Sequence, residues 1–313
     1  MKTALLFPGQ ASQYVGMGKD LYEAFPMARQ MYARANEVLG CDIARLSFDG
    51  PAEQLVQTAN TQPAIFVHSC IVFALARERG LEFDVTAGHS LGEYSALVAS
   101  GVLSFEDGLI AVRDRARFMQ EACDANPGTM SAVLGLGFEA VVEVCAQASA
   151  AGVVVAANFN AEKQVVISGS RAGVEAASKL AVESGAKRVL PLAVGGAFHS
   201  PLMVPAPQRL TPVLDSLEFR TAQVPVILNV TAMPCSDPQV IKAKLIEQLT
   251  APVLWYPTLR WMNQNRCDCA IELGPKKVLL GLAKSVLAEA QLLSLDTVSD
   301  LYAWPPVVTA STQ

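Results

Sequence analysis

Gly88-His89-Ser90-Leu91-Gly92 is the stretch on which the reading of this chain turns. It matches G-x-S-x-G, with a short strand pattern (Asp84–Gly88) before it and a small-residue helix pattern (Leu91–Ser100) after it. A sharp strand-to-helix turn crowds the backbone, so small residues two before and two after the serine relieve the clash. The serine oxygen then stands exposed at a helix N-terminus, where free amides and the helix dipole favour a developing negative charge. A glycine turn without chemistry is the plain alternative; the strand before and helix after favour a nucleophile.

Outward from this turn, short apolar strands alternate with helical patterns, the signature of a layered α/β fold. Thr3–Phe7 reads as a first strand ending in Pro8-Gly9. Gln62–Arg79 reads as an apolar helix stopped by Gly80, and Ser104-Phe105-Glu106-Asp107 as a capping box opening a helix to about Cys123. The middle differs: Met130–Leu136, Val153–Phe159, Gln164–Ser168 and Lys187–Leu192 read as strands, with helices over Phe138–Ala150 and Arg171–Ser184. That order, β-α-β-β-α-β, is the ferredoxin-like unit. The larger pattern resumes with strands at Pro225–Val230 and Asp268–Leu273. The expected architecture is a hydrolase-like α/β core with a parallel sheet, residues 1–125 and 195–313, carrying an inserted smaller ferredoxin-like domain, residues 126–194. Asn126-Pro127-Gly128 and Val194-Gly195-Gly196 are the expected joints. The end from Trp304 to Gln313, with Pro305-Pro306, reads as loosely held.

A serine needs a base to take its proton, and the chain has three histidines. His68 falls in an apolar helix pattern and reads as a satisfied core residue. His89 adjoins Ser90 and must point away from it. His199 remains, in a glycine-rich loop, Gly195-Gly196-Ala197-Phe198-His199-Ser200-Pro201, and its position after the serine matches hydrolase-like chain order. An oxyanion hole would pair the Leu91 amide with one from another loop, for which the Phe7-Pro8-Gly9-Gln10 turn is the best source. Among Arg113, Arg115 and Arg117, helical geometry sets Arg115 roughly 60° from the apolar stripe of Val112, Ala116 and Met119, and turns the other two roughly 100° and 140° away. Arg115 is therefore expected to reach inward. Its partner is left open at this point: a substrate carboxylate held by a bidentate fork, or an internal Asp or Glu.

Composition narrows the function classes. Of 313 residues, 51% are hydrophobic and 17% charged, enough apolar material for a large core, and the net charge of -5 gives no support to nucleic-acid binding. The N-terminus does not read as a secretory signal. No apolar run reaches the roughly 18–20 residues of a membrane span; Pro63–Ala76 comes nearest, and His68 and Ser69 interrupt it. The expectation is a cytoplasmic, monomeric protein that does not contact membranes. Seven scattered cysteines read as reduced structural thiols, and three histidines make a metal enzyme a poor expectation.

As a set, the motifs resemble a known family. P-G-Q-x-S-Q at Pro8–Gln13, G-H-S-L-G-E-Y-S-A at Gly88–Ala96, R-x-x-F-M-Q from Arg115, N-F-N at Asn158–Asn160, F-H-S at Phe198–Ser200 and E-L-G-P from Glu272 are similar to those of the malonyl-CoA:acyl carrier protein transacylases, including polyketide synthase acyltransferases. The resemblance runs from Phe7 to about Lys284 and implies malonyl transfer from malonyl-CoA to the phosphopantetheine thiol of an acyl carrier protein. Coenzyme A is then carried by a substrate, and no cofactor is expected. It implies Ser90 as the acyl carrier, His199 as base, an oxygen of Gln248 supporting that histidine, the Gln10 and Leu91 amides as oxyanion hole, and Arg115 on the malonyl carboxylate. It further implies Gln62, Met119, Phe198, Asn158 and Asn160 as substrate-lining residues. Ala11 and Ala116 stand where the family usually has glycine. An acidic carrier would need basic patches, for which Lys187-Arg188 and Lys276-Lys277 are candidates. Two rival readings are an acyl hydrolase on the same scaffold, which has no need of Arg115, and a non-catalytic carrier-binding subunit, which has no need of Ser90 or His199.

Overall fold

The first strand, β1 (Lys2–Phe7), is buried on both faces: Leu5 and Phe7 enter one apolar cluster, Ala4 and Leu6 a second on the other side. Such period-two burial on both sides belongs to a central strand of a parallel sheet covered by helices. The structure, a computed structural model, describes residues 2–304; the chain end read as loose lies from residue 305 onward outside the described residues. In chain order the other strands are β2 (Val85–Gly88), β3 (Thr129–Leu134), β4 (Val154–Ala161), β5 (Gln164–Gly169), β6 (Arg188–Pro191), β7 (Val226–Ile227), β8 (Pro234–Cys235), β9 (Cys267–Leu273) and β10 (Gln291–Leu295). One sheet has the order β10-β9-β1-β2-β7-β8, parallel except for the β7–β8 pair. The other, β4-β5-β3-β6, is antiparallel and carries helices Phe138–Ala148 and Arg171–Glu183 over its own apolar cluster around Val133, Val165 and Val174. The α/β class, the parallel sheet and the separate small sheet agree with expectation.

Three details differ from the sequence reading. The apolar helix runs Thr58–Glu78, four residues earlier than read, with Pro63 inside it; this places Gln62 within the helix and 1% exposed. It is the one described helix long and apolar enough to span a membrane, and 78% of its apolar window is buried inside the fold. At Ser104 only one arm of the capping box forms, the side chain accepting from the Asp107 amide. The strand expected over Pro225–Val230 is only Val226–Ile227, because Leu228 accepts from the Ala232 amide and the chain turns away, with Ala232 at φ 54°. That early turn frees Asn229 from the sheet and delivers it to the site described below.

The two sheets are joined at the backbone. Phe159 donates to the Val253 carbonyl and Val253 to that of Ala157, both at 2.9 Å, so β4 gains a short parallel partner from the larger unit.

The turn after β2 is as tight as the motif requires. A Cβ on Gly88 would lie 1.9 Å from the Gly92 carbonyl carbon, and one on Gly92 would lie 2.0 Å from the Phe7 oxygen. Gly88→Ala is expected to destabilise the fold by about 3 kcal/mol or more, since backbone on both sides of the clash cannot yield. Gly281→Ala, in a helix with open space at its Cβ, is the control expected to be neutral or slightly stabilising. Urea midpoints of the two variants check this; equal midpoints would mean that the turn is looser than its geometry.

Candidate active site

Ser90 sits between β2 and the helix Gly92–Ala99 with φ 52°, a left-handed conformation that a non-glycine residue holds only when its surroundings impose it. The imposing contacts are visible. Asn229 accepts from the Ser90 amide at 2.7 Å through Oδ1 and donates to the Gly88 carbonyl at 2.6 Å through Nδ2, clamping both sides of the turn.

His199 also has positive φ, 56°, and its ring meets Ser90, with Oγ and Nε2 at 2.8 Å. Its Nδ1 lies 2.8 Å from the main-chain oxygen of Gln248. A carbonyl at that point can only accept, so Nδ1 carries the proton and Nε2 is left to take the hydrogen of the serine. Burial first, then the charge of Arg115, lowers the imidazole to about 3, against the opposing bond to Gln248. At neutral pH the ring is therefore uncharged, the form a base requires.

Arg115 projects from the helix Phe105–Ala125 and is 1% exposed, while Arg113 and Arg117 stay at the surface and pair with Asp114. Its Nη1 donates to Gln62 Oε1 at 2.6 Å; its Nη2 donates to Gln248 Oε1 at 2.9 Å and to Ser90 Oγ at 3.0 Å. Tyr94 lies beneath it, 5.5 Å from ring centre to guanidinium carbon. Nε has no partner, and among the described residues no carboxylate pairs with this guanidinium directly. The alternative left open by the sequence, an internal acid on Arg115, is thus absent from its immediate contacts.

Nearly every residue expected at the site converges on one cavity of about 190 Å³: Gln10, Gln62, Ser90, Leu91, Arg115, Met119, Asn158, Asn160, Phe198 and His199 line it. Gln248 stands behind His199 and Arg115 and does not line it. The Gln10 and Leu91 amides donate to no acceptor among the described residues, and both belong to turns at the cavity wall. Ala11, beside Gln10, is held at φ 81° where glycine would be unstrained. Phe198, 6% exposed, both lines the cavity and packs in the large core, so its packing and lining readings hold together. His89 turns from Ser90 as expected, yet stays in the cavity wall, bonded to Asn160 Oδ1 at 2.8 Å; with that bond it ties the motif to the small sheet.

Two residues escaped the sequence reading. Asn229 lay hidden in an apparent apolar strand, where it was the one amide. Glu93, just past the motif and 1% exposed, accepts from Gln248 Nε2 at 2.6 Å through Oε2 and from the Asn229 main-chain N–H at 3.4 Å through Oε1. Its signal was a charge in an otherwise small and apolar helix. Burial pushes this carboxyl up to about 8, opposed by those bonds and by Arg115.

The arrangement can activate a hydroxyl, offer two amides to an oxyanion, and hold an anion beside the reacting oxygen. Because the folded imidazole of His199 lies below its unfolded value of about 6.5, the unfolded chain binds the extra proton between the two values, and folding stability falls as pH drops through that window. Urea unfolding at about pH 7.5 and about pH 4.5 should show the wild type losing more stability than His199→Gln. Parallel losses would mean that the ring titrates normally.

Residues 4–299 match the acyl transferase domain family. The chain is 48% identical over 286 residues, 91% of its length and 90% of the relative's, to the malonyl CoA-acyl carrier protein transacylase of Bacillus subtilis strain 168. It superposes on an acyl carrier protein S-malonyltransferase from Vibrio cholerae with TM-score 0.93 and 44% identity, covering 97% of this chain and 99% of that one. A malonyl-transacylase solved in complex with its type II polyketide synthase acyl carrier protein gives the same TM-score at 38% identity, over 97% and 98% of the two chains. With a match spanning nearly its whole length, this chain belongs to the acyl transferase domain family.

Proposed function

We propose that this protein transfers a malonyl group from malonyl-CoA to the phosphopantetheine thiol of an acyl carrier protein, in fatty-acid or polyketide synthesis, through an acyl-serine. The single observation that carries the reading is the buried guanidinium of Arg115, without a carboxylate of its own, 3.0 Å from the Ser90 hydroxyl. A malonyl group on Ser90 places its carboxylate one methylene beyond the acyl carbon, a short reach from that guanidinium.

In the proposed cycle His199 Nε2 takes the Ser90 proton as Oγ attacks the thioester carbon. The Gln10 and Leu91 amides receive the oxyanion. Coenzyme A leaves as the thiol, taking the proton from His199. The carrier's thiol then gives its proton to His199, attacks the acyl-serine carbon, and Ser90 recovers its hydrogen. Gln62 and Gln248 hold Arg115 for the carboxylate, and Met119 and Phe198 shape the small cavity against longer chains. An acyl without the carboxylate leaves the buried charge unpaired, which is how such a site rejects it. A hydrolase would share Ser90 and His199 but would give Arg115 no task. The carrier is expected at the cavity mouth, with Lys276-Lys277 and Lys187-Arg188 candidates for meeting acidic residues.

Ser90→Ala should abolish the malonyl adduct seen by intact-protein mass spectrometry after incubation with malonyl-CoA; an adduct persisting on that variant removes Ser90 from the mechanism. Arg115→Ala should lower kcat/KM for malonyl-CoA by roughly 100-fold or more and shift the ratio toward acetyl-CoA. An unchanged ratio would make the arginine structural.

A further inference from the structure

The Gln248 side chain is a two-ended group whose direction matters. Its oxygen faces Arg115 Nη2 at 2.9 Å; its NH2 faces Glu93 Oε2 at 2.6 Å, the Ser90 carbonyl at 3.0 Å and Asn229 Oδ1 at 3.5 Å. Turned over, the amide would set its oxygen against three acceptors and its NH2 against the guanidinium. The three acceptors decide the orientation, and Glu93 is the nearest and the one able to carry charge. The Glu93 carboxyl itself faces donors only, Gln248 Nε2 and the Asn229 amide, so it holds its neighbours by accepting.

We infer that Glu93 is a positioning residue for acyl-group selection: through the Gln248 amide it fixes the Arg115 guanidinium toward the acyl pocket. The separation is the point. An acid bonded directly to Arg115 would occupy the donors that a substrate carboxylate needs, whereas an acid one amide away steadies the guanidinium and leaves Nε and the second Nη1 hydrogen without protein acceptors. Glu93 touches neither Ser90 Oγ nor His199, and its effect is confined to substrates that use Arg115.

This inference rests on malonyl transfer through Ser90 as proposed above, and the experiment separates the two. The rate of acyl-enzyme formation from malonyl-CoA and from acetyl-CoA is measured by rapid-quench mass spectrometry for the wild type, Glu93→Gln, Gln248→Leu and the double variant. Gln248→Leu keeps the main-chain oxygen that meets His199. If the wild type forms no malonyl-enzyme, the functional reading itself fails. Given that it does, Glu93→Gln is expected to lower malonyl kcat/KM by about tenfold, a typical coupling for contacting groups, and to change the acetyl rate by less than about twofold. Gln248→Leu should show the same malonyl-selective loss, and the double variant should be no worse than Gln248→Leu alone. Malonyl and acetyl rates falling by one common factor, or neither falling, would overturn the inference. Should Glu93→Gln fail to fold, Gln248→Leu reads the same relay, and an equal loss for both acyl groups in that variant overturns it as well.

Discussion

A guanidinium buried at 1% exposure beside a hydroxyl is a costly group to hold, and the site is organised around holding it. Taking a charge out of water costs several kcal/mol even after relaxation, and it is tolerated only with dense hydrogen bonding or an opposite charge. Arg115 has three side-chain acceptors, Gln62, Gln248 and Ser90, and an aromatic face from Tyr94. All three acceptors are neutral. Neutral acceptors satisfy hydrogens without cancelling charge, so the region keeps an excess positive potential that an anionic acyl group can use.

The backbone makes that placement possible. Gly88, Gly92 and Phe7 approach so closely that no side chain fits between them, and this compression lifts Ser90 above the end of the parallel sheet. Glu93 and Tyr94 follow directly on the same helix, so the turn that presents the hydroxyl also sets two of the groups around the guanidinium. The histidine loop and the end of the helix Pro238–Gln248 then close from the far side. The small sheet enters through Asn160 and the Val253 bridge, forming the remaining wall. Local strain at Ser90 and His199 is repaid by hydrogen bonds from elements far away in sequence, chiefly Asn229 and Gln248.

What was legible in the sequence follows the same division. Ser90 and Arg115 could be read because a local rule governs each: the spacing of glycines about a turn, and the angle of a side chain on a helix. His199 could be read because only three histidines exist. The four strands of the small sheet were read nearly to the residue, since each carries its own apolar period. Asn229 and Glu93 were not legible, because their partners lie 139 and 155 residues away in bonds that no period encodes. The short β7 strand was missed for a related reason: its apolar run continues past the point where Asn229 is drawn off toward the Ser90 amide. Gln62 was placed by resemblance, and only the fold shows it as the amide closing the far side of Arg115.

Arg115 and His199 also constrain each other, which bears on how selection and reaction are joined. Burial first, and then the guanidinium, disfavours a proton on the imidazole, and together they keep the resting base neutral. The same repulsion opposes the reaction, because taking the Ser90 proton makes an imidazolium a short distance from a fixed positive charge. A carboxylate bound on Arg115 cancels most of that field and lowers the cost of forming the imidazolium. On the proposed reading, the acyl group therefore does more than occupy its pocket: its charge relieves the penalty on the proton transfer that acylates Ser90. An uncharged acyl of the same size gains neither the contact nor the relief, so discrimination falls on the chemical step as well as on binding.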